Sequence, residues 1–210
     1  MLGLAWATPI AAQVTAGASA VVAVVEHRVD AGFGVEVTSG TVLGGTVSGS
    51  LGRFSLTGLA QAGALQAEAG AAEDRDLAEV GVRGSGRVLD WLWLEAGGRW
   101  RAYASPIGRQ RWSFVEVATL GRVPFAVPGL FGLGRVTFQP AVRVSGGVHP
   151  DPAIKAAVGV EYTPGPFGAE LLYGRERYTF PPTGGARRLE QLSAITLRVR
   201  LGLRDRDAMR

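Results

Sequence analysis

The sequence predicts an all-β protein: an antiparallel, up-and-down, transmembrane β-barrel of about ten strands, with eight to twelve allowed by the N-terminal third. Three observations predict it. Apolar and polar residues alternate with a period of two along nearly the whole chain, the pattern that sends successive strand side chains to opposite faces. Hydrophobic residues make up 47% of the 210 positions, yet no uninterrupted apolar run approaches the roughly 18 to 20 residues that a membrane helix needs. Connections also alternate between short and long, and a spanning chain without such helices must close its sheet, because lipid offers no partner to a free strand edge.

Met1 to Ala12 is an apolar stretch with Pro9 and small residues before Gln13, like the end of a secretory signal peptide. It is short and has no basic n-region, which fits a start placed too far downstream; the other reading is an apolar N-terminal strand. The expected organisation is therefore a signal at 1–12, a barrel over 14–203 and a polar tail at 204–210. Val14 to Glu26 is β-rich but alternates poorly, whereas Phe33 to Leu51 holds one phase, as one strand or as a hairpin at Ser39-Gly40. Gly52-Arg53 is a tight turn, Phe54 to Leu65 returns, and 66–76 is a charged loop. Leu77 to Val88 sets Glu79, Arg83, Ser85 and Arg87 against Val80, Val82 and Val88. After the Leu89-Asp90 corner, Trp91 to Tyr103 sets Leu92, Leu94, Ala96 and Trp100 against Glu95, Arg99, Arg101 and Tyr103.

A loop at 104–109 leads to a strand over Gln110 to Leu120 that places Trp112, Phe114 and Glu116 together. Arg122 to Gly132 contains two prolines, which remove ladder donors, and reads as irregular. Gly134 to Ser145, Ile154 to Tyr162 and Phe167 to Tyr178 alternate again, separated by a loop at 146–152 and the turn Pro164-Gly165-Pro166. The last strand, Leu189 to Leu203, is the clearest: Ile195, Leu197, Val199, Leu201 and Leu203 on one face, Thr196, Arg198, Arg200 and Gly202 on the other. Aromatics near strand ends (Phe54, Trp91, Trp93, Tyr103, Trp112, Tyr162, Phe167, Tyr178 and Phe180) suit interfacial girdles.

These features resemble the broad class of small bacterial outer-membrane β-barrel proteins: the signal-like start, the dyad strands from Phe33 to Leu203 and the apolar-alternating terminal strand. The resemblance implies residence in the outer membrane of a Gram-negative-type bacterium, termini on the periplasmic side, outer-membrane lipid as a partner, and assembly by the barrel-insertion machinery. In that class the final strand commonly ends in an aromatic residue. Here the apolar series stops at Leu203 and Arg204 to Arg210 follow, a departure from the pattern.

In such a barrel the membrane-facing positions are Leu92, Leu94, Val136, Phe138, Val142, Val158, Val160, Leu171, Ile195, Leu197, Val199 and Leu201. The lumen-lining charge network comprises Arg83, Arg87, Glu95, Arg99, Arg101, Arg135, Arg143, Lys155, Glu161, Glu170, Glu176, Arg198 and Arg200. Desolvated charges of mixed sign should bridge, with Arg198 and Arg200 drawing on Glu170 and Glu176. The function expected is structural, or a small-solute pore that excess Arg would bias toward anions. The rival is a soluble, lipocalin-like barrel that packs Ile195, Leu197, Val199, Leu201 and Leu203 around an apolar ligand and leaves Arg198 and Arg200 in water.

Composition excludes other classes. There is no Cys, hence no disulfide framework and no Cys metal site. Net charge is +4, and every basic residue but Lys155 is Arg; these stand singly in alternating strands rather than in a cluster with aromatics, so no nucleic-acid partner is expected. Enzyme chemistry is not expected either. The two histidines, His27 and His149, read as loop residues; Ser145 four residues before His149, and Asp151 beyond it, read as structural. Gly44-Gly45 and Gly184-Gly185 read as turn or bulge glycines, not phosphate loops, and no cofactor is expected.

Overall fold

A computed structural model describes residues 14–182 and 187–203; the 1–12 signal, the 204–210 tail and Gly184-Gly185 lie outside the described residues. Ten antiparallel strands form one closed barrel. They are β1 (Val14–Asp30), β2 (Val35–Leu51), β3 (Phe54–Ala69), β4 (Arg75–Leu89), β5 (Leu92–Ser105), β6 (Gly108–Pro124), β7 (Leu130–Val144), β8 (Ala153–Tyr162), β9 (Phe167–Thr179) and β10 (Leu189–Leu203). Each pairs with its chain neighbour, and β10 closes on β1 from Ala16↔Leu203 to Asp30↔Leu189. Closure leaves no strand edge unpaired, the condition for a sheet to stand in lipid.

The two ends of the barrel differ. Turns at 52–53, 90–91, 125–129 and 163–166 lie at the end where β1 starts and β10 stops, the termini end. Connections at 31–34, 70–74, 106–107, 145–152 and 180–188 form the loop end. Several are tighter than the sequence suggests: 66–76 and 104–109 are mostly strand, and the proline-bearing stretch 122–132 is irregular only over 125–129, because Pro124 sits at the last rung of β6 opposite Phe131. No hairpin forms at Ser39-Gly40, and Gly44-Gly45 lie inside β2 rather than in a turn. A Cβ on Gly44 would run into the Ala60 carbonyl and Gln61 of β3, and one on Gly63 into Thr41 and Val42 of β2, so these glycines let the two backbones approach closely.

Outward side chains form the apolar belt. Ile195, Leu197, Val199 and Leu201 are each about half exposed, as are Leu94, Val136, Phe138, Val158, Val160 and Leu171, and Leu92 shares the outward phase. From Ile154 to Tyr162, eight steps of about 3.3 Å, tilted about 40°, give a belt roughly 20 Å high. Arg198 and Arg200 point inward to carboxylates, the packing opposite to a lipocalin-like barrel.

One phase assignment is corrected, on β7. Val142 is buried in the interior and Arg143 is exposed on the outside. The cause is a bulge: Val115 pairs with Ala141 and Val117 with Phe138, so Glu116 faces both Gln139 and Pro140. Pro140 has no N–H for the ladder, and the one extra residue inverts every side chain after it. β1, to which the sequence assigns no phase, has a regular one. Its sequence alternates poorly because both faces are apolar, yet Val21, Ala23, Val25, His27 and Val29 point in while Val22, Val24, Glu26 and Arg28 point out. His27 is thus a strand residue, not a loop residue.

With no native thiol to interfere, the bulge is testable. A cysteine at Arg143 should react rapidly with a membrane-impermeant maleimide in the folded protein, and one at Gln139 should not; equal labelling of both would contradict the inverted phase.

Candidate functional site: the charged lumen

Inside the barrel the side chains lie in three levels. At the loop end an apolar cluster includes Val25, Val42, Leu65, Leu77, Tyr103, Trp112, Phe114, Val142, Val144, Tyr178, Phe180 and Leu192. The Trp112 ring is its hub, 5.1 Å from the Tyr178 ring and 5.8 Å from those of Phe114 and Phe180. Tyr103, Trp112, Tyr178 and Phe180 therefore fill the bore and do not belong to a girdle. The exposed aromatics Phe54, Trp91, Tyr162 and Phe167 remain at the termini end. Beside the cluster His27 stacks on Tyr103 at 4.8 Å, faces Glu190 at 3.2 Å through Nε2 and meets Arg75 at Nδ1.

The middle level is an ion-pair layer that crosses the bore. Register explains half of it: Glu79 of β4 stands opposite Arg101 of β5, and Arg99 is two residues away on the same inward face. Arg101 Nε donates to Glu79 at 2.7 Å; Arg99 donates to Glu79 at 3.0 Å and to Glu116 of β6 at 2.9 Å. The other half comes from the far wall. Glu176 of β9 accepts from Arg99 at 2.7 Å, from Arg101, and from the Tyr178 hydroxyl at 2.6 Å. Gln139, in the inward phase of Arg135 and Thr137, donates to Glu116 at 2.8 Å. All four of Glu79, Arg99, Arg101 and Glu176 are buried. Each buried guanidinium is held by at least two carboxylates, Arg99 by Glu79, Glu116 and Glu176 and Arg101 by Glu79 and Glu176, so the charges are paired within the layer.

Beside the ion layer and on toward the termini end runs a cavity of about 220 Å³: Val25, Leu77 and Leu192 of the apolar cluster line its loop-side part, and Arg83, Glu95, Arg135, Lys155 and Arg198 form its charged wall. Arg135 lies 3.1 Å from Glu95, and Arg83 reaches Glu95 at 3.7 Å and Glu116 at 3.5 Å. Arg198 pairs with Glu170 at 3.0 Å; Arg200 and Arg122 share Glu161 at 3.0 and 2.7 Å. Arg87 sits at the rim, 4.0 Å from Asp90. Lys155 faces the cavity and has no carboxylate within 4.0 Å among the described residues.

Of the charges assigned to the lumen, Arg143 alone points outward. Glu170 partners Arg198 in register, but Glu176 stands opposite Leu192, higher up the bore, and is engaged by β5, leaving Arg200 to Glu161 of β8. Glu79 and Glu116 belong to the network and share the inward phase of Arg83 and Trp112, a signal the alternation carries. Arg122, Glu190 and His27 carried no such signal: Arg122 stands in an apparently irregular segment, His27 lies beyond the stretch read as a strand, and Glu190 has polar neighbours on both faces.

Ten strands, a closed up-and-down bore and an outward apolar belt define the class: the chain has the fold of the bacterial outer-membrane β-barrels. It is similar to the outer membrane protease OmpT from Escherichia coli, at 12% identity over 91% of this chain and 97% of that one, with a TM-score of 0.56. It is also similar to the translocator domain of the autotransporter NalP from Neisseria meningitidis, at 12% identity over 91% of this chain and 88% of that one, with a TM-score of 0.50. No family model matches the sequence, and no curated protein matches it.

Glu176→Gln leaves two buried guanidiniums short of a charge and should cost roughly 3–5 kcal/mol. Arg200→Gln at the half-exposed rim should cost about 1 kcal/mol or less. Urea unfolding in lipid vesicles measures both, and equal losses would remove the special standing of the crossing layer.

Proposed function

We propose that this chain is a bacterial outer-membrane barrel with a structural role, whose lumen is a cup open at the termini end and sealed at the loop end. The observation that supports this is the filling of the loop half: the aromatic cluster around Trp112 lies directly above a paired ion layer that spans the bore from β5 to β9. A solute entering from the termini end meets first guanidinium–carboxylate pairs and then close-packed rings. In this reading the termini face the periplasm, the loops face outward, membrane lipid covers the belt and the insertion machinery assembles the barrel.

Catalysis has no part in it. His27 is 3% exposed, stacked on Tyr103 and bonded to Glu190 through Nε2 and to Arg75 through Nδ1, with no Ser, Thr or other nucleophile among its hydrogen-bond partners. His149 Nδ1 accepts from the Val144 amide and Ser145 Oγ from the Arg111 amide, which binds both residues into the β6–β7 end. A second reading, an anion-favouring pore, has one observation in its favour. The lumen carries Arg83, Arg99, Arg101, Arg122, Arg135, Lys155, Arg198 and Arg200 against six carboxylates, Glu79, Glu95, Glu116, Glu161, Glu170 and Glu176. Conduction would still require the Trp112 cluster to move aside.

Planar-bilayer recording separates the two. The unaltered chain should give no steady conductance, and Trp112→Ala combined with Phe180→Ala should introduce one. Steady, anion-selective current from the unaltered chain would establish the pore instead.

A further inference from the structure

Outside the barrel, just beyond the belt on the loop side, arginines recur. On β9 the outward series Phe167, Ala169, Leu171, Tyr173 is followed by Arg175 and Arg177. On β7 it ends at Ala141 and continues with Arg143; on β6 Arg111 and Arg109 lie beyond Val115 and Ser113; on β1 Arg28 lies beyond Val24 and Glu26. All six are exposed, and none has a carboxylate within 4.0 Å among the described residues, whereas inward arginines at the same end are paired, Arg75 with Glu36 and Arg188 with Glu190.

Register gathers the six into two groups. Arg177, Gln191 and Arg28 stand in one row across β9, β10 and β1, and Arg175 donates to Gln191 from the row below. Arg143 is opposite Ser113, one diagonal step from Arg111, a separation of about 7–8 Å. Between the groups β8 presents Ile154, 62% exposed and opposite Arg177, and below it Ala156 and Val158. The far side of the same rim carries the other sign: Glu68 on β3 and Asp76 on β4 are exposed and outward. On β1 Arg28 stands between Glu26 and Asp30, so the excess of positive charge lies on β6, β7 and β9.

Unpaired guanidiniums immediately above an apolar belt are placed for a ligand that is anionic at headgroup depth and apolar below it. We propose that the β6–β9 face, with Arg28 of β1, binds the phosphate groups of an anionic lipid of the loop-side leaflet, its acyl chains lying along β8. Guanidinium suits phosphate because its planar donors engage two oxygens at once. Each arginine near such a headgroup multiplies affinity about fivefold. The belt selects a lipid over a free anion, since only a lipid also covers Ile154 and Val158. The inference is independent of whether the lumen conducts.

The test is a competition for the folded protein in detergent between equimolar phosphatidic acid and phosphatidylcholine, with bound lipid counted by native mass spectrometry. The unaltered chain should retain phosphatidic acid with a preference of about tenfold or more. The combined variant Arg143→Gln, Arg175→Gln, Arg177→Gln should bring the ratio near one, while Glu68→Gln with Asp76→Asn should leave it unchanged. If the triple variant does not fold, Arg177→Gln and Arg143→Gln singly should each lower the preference severalfold. Equal retention of both lipids by the unaltered chain, or an undiminished preference in the variants, would overturn the site. Displacement of phosphatidic acid by equimolar inorganic phosphate would assign the patch to a free anion, and would overturn it as well.

Discussion

Everything inside this barrel is arranged around two guanidiniums that cross it. Arg99 and Arg101 leave one wall, and their donors reach Glu79 and Glu116 on the neighbouring strands and Glu176 on the opposite wall. A charge buried in the middle of a closed barrel is cut off from bulk water, so its desolvation must be offset by partners of correct sign and direction. Arg meets this with a planar fork of five donors. One residue can then bind three strands together at once.

That requirement explains the neighbours. In lipid, apolar burial does not distinguish the outside of a strand from the inside of the bore, so polar pairing and close packing hold the interior. Tyr178 uses its hydroxyl on Glu176 and its ring on Trp112, joining the ion layer to the aromatic cluster. Phe114 lies under the Arg99 guanidinium at 4.3 Å, a cation–π contact at the same boundary. The bulge at Pro140 divides β7 between the two levels: Gln139 before it bonds Glu116, and Val142 and Val144 after it lie among the rings. One irregular residue thus lets β7 be polar in the middle of the bore and apolar at its end.

Below the layer the network loosens. Arg83, Arg135 and Arg198 pair at the cavity wall, and hydroxyl pairs such as Ser19–Thr46 and Ser55–Ser85 line the rest. The outer surface follows a different rule, since its charges face away from the bore. Arg143, Arg175 and Arg177 need no internal carboxylate and have none nearby.

The strand number, the alternating end lengths and the inward phase of Arg83, Glu95, Arg99, Arg135 and Arg198 could be read directly, because a strand in lipid shows contrast between its faces wherever the bore is polar. That contrast vanishes where the bore is apolar: β1 looked irregular, His27 looked like a loop residue, and Tyr103, Trp112, Tyr178 and Phe180 looked interfacial. The phase beyond Pro140 was equally hidden, since a single added residue reverses parity and leaves the alternation looking intact. Local order along one strand is a property of the sequence alone, whereas the meeting of Arg99 with Glu176, 77 positions later, exists only once ten strands close and bring opposite walls within reach of one side chain.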